Sequence, residues 1–257
     1  MPSLADPLKS FDLTGRVAMV TGASSGLGAE VSRAFASLGA EVVVVARRRE
    51  RLDELAAEIG GYAASADLTE PHELDGLVPE IACTVGAPDI LVNAAGNRFG
   101  TGPAESESLD EIRRTIDLNL VAPIRLAQAV FPHMQASGGG SIINVSSISG
   151  SVGIPGIPQA SYAASKAGLS GLTAELSVQW ARHSIRVNTV APGFFRSEIT
   201  DSLYEDERGR AFLRRNTPLP IDASASDLVG AIIWLAGEAG RFVTGQTIVV
   251  DGGWTAR

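Results

Sequence analysis

The sequence contains little cysteine and histidine, and each shortage excludes a class of protein. The single cysteine, Cys83, cannot form an intrachain disulfide, which fits a reducing compartment and predicts a cytoplasmic protein. The three histidines, at positions 72, 133 and 183, are scattered and show no metal-ligand spacing. We therefore predict neither a disulfide framework nor a metal site.

Long apolar runs and an excess of positive charge are also missing. No apolar run approaches the roughly 20 residues that span a bilayer, and residues 1–12 lack the pattern of a signal peptide. With 29 acidic against 21 basic residues, the net charge is -8, which argues against nucleic acid or an anionic membrane as a partner. Only two of the basic residues are lysines, Lys9 and Lys166, so Lys166 is not one of many surface lysines.

What the sequence does contain is a regular alternation of apolar runs and helical stretches. Of its 257 residues, 45% are hydrophobic, enough for a substantial core. The alternation predicts an α/β fold, a single-domain Rossmann-like doubly wound parallel sheet with helices on both faces. The domain is predicted over 16–257, after a tail and lead-in at 1–15, with a substrate loop at about 194–216. The predicted strands lie at about 16–21, 41–46, 62–66, 89–93, 141–147, 185–190 and 246–250, and the longest helices at 109–135 and 160–182.

A glycine-rich turn, Thr21-Gly-Ala-Ser-Ser-Gly-Leu-Gly28, joins the first strand to its helix. Glycines let a backbone approach a pyrophosphate, which binds the free N–H groups at a helix N-terminus. The spacing differs from the G-x-G-x-x-G fingerprint. Its position at the first strand–helix junction nevertheless favours nucleotide binding over a plain turn.

The end of the second strand indicates the cofactor subtype. An acidic residue there would bind a ribose 2′-hydroxyl, but the chain has Ala46 followed by Arg47 and Arg48. Guanidinium groups without a carboxylate favour a 2′-phosphate, so the sequence predicts NADP (NADPH) rather than NAD. The alternative is that these arginines only cover a solvated helix start.

Tyr162 and Lys166 lie four residues apart in a stretch without helix breakers. On a helix their side chains share one face, and we expect the ammonium charge to lower the phenol pKa from about 10. Tyr162 is therefore a candidate proton donor to a carbonyl, or a base toward an alcohol. The alternative is an exposed helical pair.

Small and polar residues end or follow other strands at the same predicted sheet edge, where small residues leave room for a ligand. Residues 93–96 end the fourth strand, and residues 192–193 follow the sixth. The hydroxyl of Ser147, at the end of the fifth strand, could bond a substrate oxygen or could only close the strand. Asn119 lies in an apolar helical segment, where its side chain could satisfy a backbone group at a kink or anchor a water in a proton path.

Together these motifs resemble the short-chain dehydrogenase/reductase family over about residues 10–254, and within it the 3-oxoacyl reductase-like branch. The resemblance implies that Tyr162 is the acid/base and that Ser147 orients the carbonyl. Lys166 would lower the pKa of Tyr162 and hold the nicotinamide ribose, and Asn119 would hold a water that links Lys166 to solvent. The matching motifs are Thr21-Gly-x-x-x-Gly-x-Gly28, Asp67, Asn93-Ala-Ala-Gly96, Asn119, Ser147, Tyr162-x-x-x-Lys166, Asn188, Pro192-Gly193 and Val250-Asp-Gly-Gly253.

The resemblance also implies a set of cofactor contacts. Asp67 and Leu68 would contact adenine, Asn93 would prop the glycine turn, and the stretch 192–197 would fix the nicotinamide carboxamide. Ser197 stands where the family usually has threonine, and the interval from Ser147 to Tyr162 is longer than usual. The predicted cofactor residues are Gly22, Ser24, Ser25, Gly26, Leu27, Gly28, Arg47, Arg48, Asp67, Leu68, Asn93, Ala94, Ala95, Gly96, Tyr162, Lys166, Pro192, Gly193 and Ser197.

The sequence therefore predicts an NADP(H)-dependent oxidoreductase that interconverts a ketone and a secondary alcohol. The resemblance implies a homotetramer or dimer, formed through helices 109–135 and 160–182 as in the family. A catalytically silent NADP(H)-binding sensor or scaffold and a purely structural oligomer subunit are the alternatives.

Acyl thioesters, sugars and cyclic ketones remain open as substrates. Arg98 and Arg196 could meet an anionic substrate group. An apolar set either lines a substrate pocket or packs against the core: Ile154, Ile157, Phe194, Phe195, Ile199, Leu203, Phe212 and Leu213.

Overall fold

Seven strands form one parallel sheet in the order β3-β2-β1-β4-β5-β6-β7. The structure is a computed structural model, and it describes residues 7–196, 198, 200–220 and 223–256, without the side chain of Ser202. Each strand coincides with a predicted one to within two residues at either end. The strands are β1 Val17–Thr21, β2 Glu41–Ala46, β3 Tyr62–Ser65, β4 Ile90–Asn93, β5 Gly140–Val145, β6 Ile185–Pro192 and β7 Thr247–Val250.

Helices connect the strands and cover the sheet. The helices in the described residues are α1 Gly26–Ser37, α2 Arg49–Ile59, α3 Pro71–Thr84, α4 Leu109–Ile116, α5 Ala122–Ser137, α6 Ala160–Trp180, α7 Asp201–Glu205, α8 Glu207–Asn216 and α9 Ser226–Ala236. None of these helices has the length and apolar character needed to cross a membrane.

The core lies in two apolar layers, one on each face of the sheet. Along β2, Val42 and Val44 pack in one layer with side chains of α1, α2 and α9, while Val43 and Val45 pack in the other with α3 and α5. This is the alternation of successive side chains along a strand. Because both faces are covered, the strand is apolar throughout. The predicted doubly wound sheet is confirmed.

The predicted helix 109–135 is interrupted, which corrects the prediction of a continuous helix. α4 ends at Ile116, a π-helical turn spans Asp117–Val121, and α5 follows. Such turns widen a helix locally and are frequent at functional sites. Asn119 lies within this turn.

The segment after β6 also differs from expectation. The sequence predicted a substrate loop at about 194–216, whereas the structure places the short helices α7 and α8 there. Asp206 caps α8 by accepting a hydrogen bond from the backbone of Gly209.

Candidate active site

A cleft of about 500 Å³ opens at the carboxyl ends of the parallel strands. It spans the point where the strand order reverses between β1 and β4, which is where doubly wound sheets bind ligands. The structure brings most of the predicted residues together in its wall. These are Gly22, Ser24, Ser25, Gly26, Leu27, Gly28, Arg47, Arg48, Asp67, Leu68, Ala94, Ala95, Gly96, Ser147, Tyr162, Lys166, Pro192 and Gly193. Ser197 lies outside the described residues.

The glycine turn between β1 and α1 has room only for backbone. A Cβ on Gly28 would lie 2.5 Å from the carbonyl oxygen of Gly22, and one on Gly22 would lie 2.8 Å from the backbone nitrogen of Ala95. The side chain of Ser25, at the N-cap, makes no capping hydrogen bond to α1. The first N–H groups of this helix therefore face the cleft without a side-chain cap, an arrangement suited to an anion.

Thr21, rather than Asn93, ties the glycine turn to the end of β4. The Thr21 hydroxyl accepts hydrogen bonds from the backbone of Ala94 and Ala95, both at 3.1 Å. Asn93 is buried beneath the cleft and donates to Asn144 Oδ1 at 2.9 Å. The predicted contact of Asn93 with the glycine turn is thus corrected, because its amide faces β5. A hydroxyl residue directly before the first glycine was the available signal for Thr21.

Two arginines lie at the end of β2, as the 2′-phosphate prediction requires. Arg48 donates from Nε and Nη2 to Ser24 Oγ, at 3.0 and 2.7 Å. Arg47 Nη1 lies 3.6 Å from Asp67 Oδ2. Although burial raises the pKa of Asp67, two hydrogen bonds from Thr69 and the charge of Arg47 hold that pKa below its usual value. The carboxylate is therefore ionised at neutral pH.

Tyr162 and Lys166 share one face of α6, and neither belongs to an exposed pair. The Lys166 side chain is buried, and its Nζ donates to the carbonyl of Val145 at 2.8 Å. That Nζ lies 5.7 Å from the centre of the Tyr162 ring. Ser147 lines the same cleft wall as Tyr162, near enough for its hydroxyl to favour the ionised form of the phenol. The predicted triad of Ser147, Tyr162 and Lys166 is thus assembled in the cleft wall.

The predicted lowering of the Tyr162 pKa is wrong. Removal from water raises the pKa of Tyr162, and this outweighs the Ser147 hydroxyl and the positive charge of Arg98, which both lower it. Lys166 does not reverse the shift, because its Nζ is directed at Val145 and burial lowers its own pKa to about 8. Tyr162 is consequently a neutral phenol at neutral pH, in the form that donates a proton.

Asn119 lies in the π-helical turn, but the backbone groups that it satisfies belong to Asn97 in the loop after β4 and not to the turn itself. Its Oδ1 accepts from the backbone N–H of Asn97, and its Nδ2 donates to the carbonyl of Asn97, both at 2.9 Å. Nδ2 also donates to Ser165 Oγ at 3.1 Å. The side chain is fully buried behind the cleft wall. The water-anchoring role remains a prediction.

Most of the predicted apolar residues pack together around Trp254, which favours a packing role over a substrate pocket. The centre of the Trp254 ring lies 4.7 Å from that of Phe194 and 5.5 Å from that of Phe212. Phe195 lines the cleft and also belongs to the main core, and Ile199 lies outside the described residues. The remaining members, Ile154, Ile157, Leu203 and Leu213, lie in the cluster with Trp254, which the sequence analysis missed.

The two arginines considered for an anionic substrate differ in their surroundings. Arg196 is mostly exposed and lies 3.5 Å from Asp201, a solvated ion pair. The Nε of Arg98 is buried and has no hydrogen-bond partner among the described residues. Arg114, which no sequence motif indicated, lines the cleft with its guanidinium 4.3 Å from the centre of the Phe99 ring.

The buried Lys166 predicts a pH-dependent stability. Its folded-state pKa of about 8 lies below the unfolded value of about 10.4, so the unfolded chain binds more protons between these pH values. The cost of burying the charge is complete below pH 8 and disappears as the pH rises. We expect the free energy of unfolding of the native protein, relative to Lys166→Met, to rise by about 1.4 kcal/mol per pH unit over this window.

Urea unfolding at pH 7, 8, 9 and 10 measures this difference. Lys9→Met is the matched control, since Lys9 is the other lysine of the chain and is exposed. It reports the general effect of replacing a lysine on the free energy of unfolding at each pH. A pH-independent difference for Lys166→Met would contradict the lowered pKa.

Comparison with known proteins finds relatives along nearly the whole chain. Residues 22–255 match a family described as enoyl-(acyl carrier protein) reductase. The chain is 36% identical to gluconate 5-dehydrogenase of Gluconobacter oxydans (strain 621H), over 95% of this chain and 96% of that protein. It is 33% identical to D-threitol dehydrogenase of Mycolicibacterium smegmatis (strain ATCC 700084 / mc(2)155), over 96% and 95% of the two chains.

Solved structures agree with these relatives. A gluconate 5-dehydrogenase from Burkholderia cenocepacia J2315, crystallised in complex with NADP and tartrate, is 35% identical to this chain. Its structure matches with a TM-score of 0.93 over 98% of this chain and 100% of that chain. The similarity therefore extends to the whole sheet and to its carboxyl edge.

Proposed function

The chain belongs to the short-chain dehydrogenase/reductase family and is an oxidoreductase of CH–OH and C=O groups, and we propose that it interconverts a ketone and a secondary alcohol with NADP(H). The observation that carries this proposal is the position of Ser147, Tyr162 and Lys166 in the same cleft as the glycine turn. A protein that only binds a dinucleotide needs the turn but not this triad.

The residues of the cleft fit a dinucleotide. The uncapped N-terminus of α1 would hold the pyrophosphate, in the space that a Cβ on Gly22 or Gly28 would fill. Arg47 and Arg48 would face the 2′-phosphate, and Asp67 the adenine. A bound nicotinamide supplies or accepts the hydride. The NADP complex of the similar gluconate 5-dehydrogenase supports NADP over NAD.

The proposed proton transfer uses groups of this chain. The hydroxyls of Ser147 and Tyr162 would both hydrogen-bond to the carbonyl oxygen, and Tyr162 would give its proton to that oxygen as the carbonyl is reduced. Burial keeps the phenol protonated at neutral pH, which suits this direction. Below pH 8, the charged Lys166 would stabilise the phenolate that remains.

The substrate class follows from the relatives and from the charge near the triad. By their names, two relatives act on gluconate and D-threitol, which are hydroxylated carbon chains. The positive charge of Arg98 acts on Tyr162, and Arg114 lies in the cleft wall. We propose a polyhydroxylated substrate, a sugar acid or polyol and its keto form, ahead of an acyl thioester.

NADPH absorbance, followed with purified protein, tests the proposal. The panel contains keto-sugar acids, keto-polyols, cyclic ketones and 3-oxoacyl thioesters, each also offered with NADH. We expect oxidation of NADPH by the polyhydroxylated ketones and a slower reaction with NADH. NADPH binding without turnover of any carbonyl class would replace the enzyme with a silent binder, and equal use of NADH would overturn the choice of cofactor.

A further inference from the structure

Arg48, one of the two arginines predicted to face the 2′-phosphate, holds a carboxylate from a distant part of the chain, and Arg51 of α2 bonds the same carboxylate. Glu198 lies after β6, 150 residues from Arg48 in sequence. Its Oε1 accepts hydrogen bonds from Nη1 of Arg48 and from Nη1 of Arg51, both at 2.9 Å. The hydrogen bond from Arg48 lowers the pKa of Glu198, so the group is an anion at neutral pH.

The donors of Arg48 are divided between this carboxylate and the glycine turn. Nε donates to Ser24, and Nη2 donates to both Ser24 and Ser25. Only Nη1 turns to Glu198, which lines the same cleft as both serines. The carboxylate therefore lies beside the glycine turn, at the end of β2, where a bound anion would meet the guanidinium groups.

A carboxylate and a phosphate compete for such a site because both accept hydrogen bonds from the same guanidinium edge. We infer that Glu198 is a specificity-determining residue that occupies the Arg48 side of the 2′-phosphate subsite, held there by Arg48 and by Arg51 outside the cleft wall. The 2′-phosphate of NADP(H) would displace the Glu198 carboxylate. A cofactor with a 2′-hydroxyl would leave it in place.

This arrangement has a consequence for the cofactor preference. Two guanidinium groups and one carboxylate leave a net positive site, so a phosphate is still attracted. The competing carboxylate lowers that attraction, and the preference for a 2′-phosphate is weaker than the arginines alone would provide. The inference rests on the proposed use of NADP(H), but it concerns binding and not turnover.

Calorimetric binding of 2′,5′-ADP and 5′-AMP tests the inference, because these two probes differ only in the 2′-phosphate. We expect Glu198→Gln to bind 2′,5′-ADP about three- to fivefold more tightly than the native protein, the upper part of the range expected for loss of an exposed competing ion pair. Binding of 5′-AMP should stay within about twofold. No tightening, or equal tightening for both probes, would overturn the inference.

Two further variants isolate the contact. Glu207→Gln is the matched control, because Glu207 also bonds two arginines, Arg210 and Arg214, but on α8 and outside the cleft. It should leave both affinities unchanged. In an Arg48→Met background, Glu198→Gln should lose most of its effect on the affinity for 2′,5′-ADP, as expected for coupled residues. An undiminished effect in that background would mean that the 2′-phosphate does not bind at Arg48.

The result is separable from the proposed oxidoreduction. Neither probe contains a nicotinamide, so a protein that reduces no carbonyl can still show the predicted change in the ratio of its affinities for 2′,5′-ADP and 5′-AMP. Conversely, an unchanged ratio in Glu198→Gln would overturn the role of Glu198 and leave carbonyl reduction untouched.

Discussion

Replacing Tyr162 with phenylalanine is expected to lower kcat for carbonyl reduction at least about a hundredfold, the range of a lost general acid. The phenol is the proton donor in the proposed mechanism, and the phenyl ring fills nearly the same space. Affinity for NADPH should stay nearly intact, because the substitution leaves the glycine turn and Lys166 in place. Steady-state kinetics with the best ketone of the panel and fluorescence titration with NADPH measure the two quantities.

Tyr62→Phe is the control for this substitution. Tyr62 is an exposed residue at the start of β3 and does not line the cleft. It should leave kcat and NADPH affinity unchanged. An unchanged kcat in Tyr162→Phe would remove the acid/base role from Tyr162, whatever the effect on cofactor binding.

Replacing Lys166 with alanine is expected to impair both turnover and cofactor binding, since one ammonium group serves both in the proposed mechanism. We expect kcat to fall about a hundredfold. The Kd for NADPH should rise about tenfold or more, because a hydrogen bond to a charged group contributes about 1.5–3 kcal/mol. The loss of the ribose contact and of the charge beside Tyr162 should thus appear in separate measurements.

Lys9→Ala controls for removal of a lysine, and thermal unfolding reports whether Lys166→Ala remains folded. Circular dichroism is needed because the substitution leaves a cavity and frees the carbonyl of Val145, which accepts from Nζ. A folded Lys166→Ala protein with unaltered NADPH affinity would argue against the ribose contact. A folded Lys166→Ala protein with native kcat would argue against the role of the Lys166 charge in stabilising the Tyr162 phenolate.

The sequence by itself determined the sheet and the convergence of the motifs. β2 begins and ends where it was predicted, because an apolar run bounded by glycine or polar residues is a local signal. The carboxyl ends of parallel strands share one edge, so the glycine turn and Ser147 had to lie near one another. The four-residue spacing placed Tyr162 and Lys166 on one helix face.

Only the tertiary structure decided the partners and the electrostatics of these groups. The π-helical turn at 117–121 forms where Asn119 bonds the backbone of Asn97, a contact across 22 residues of sequence. The pKa of Tyr162 rises because the groups packed around the phenol remove it from water. The sequence shows a neighbouring charge, but it does not show how far the phenol is buried. Glu198 meets Arg48 across 150 residues, and no local pattern carries a pairing at that distance.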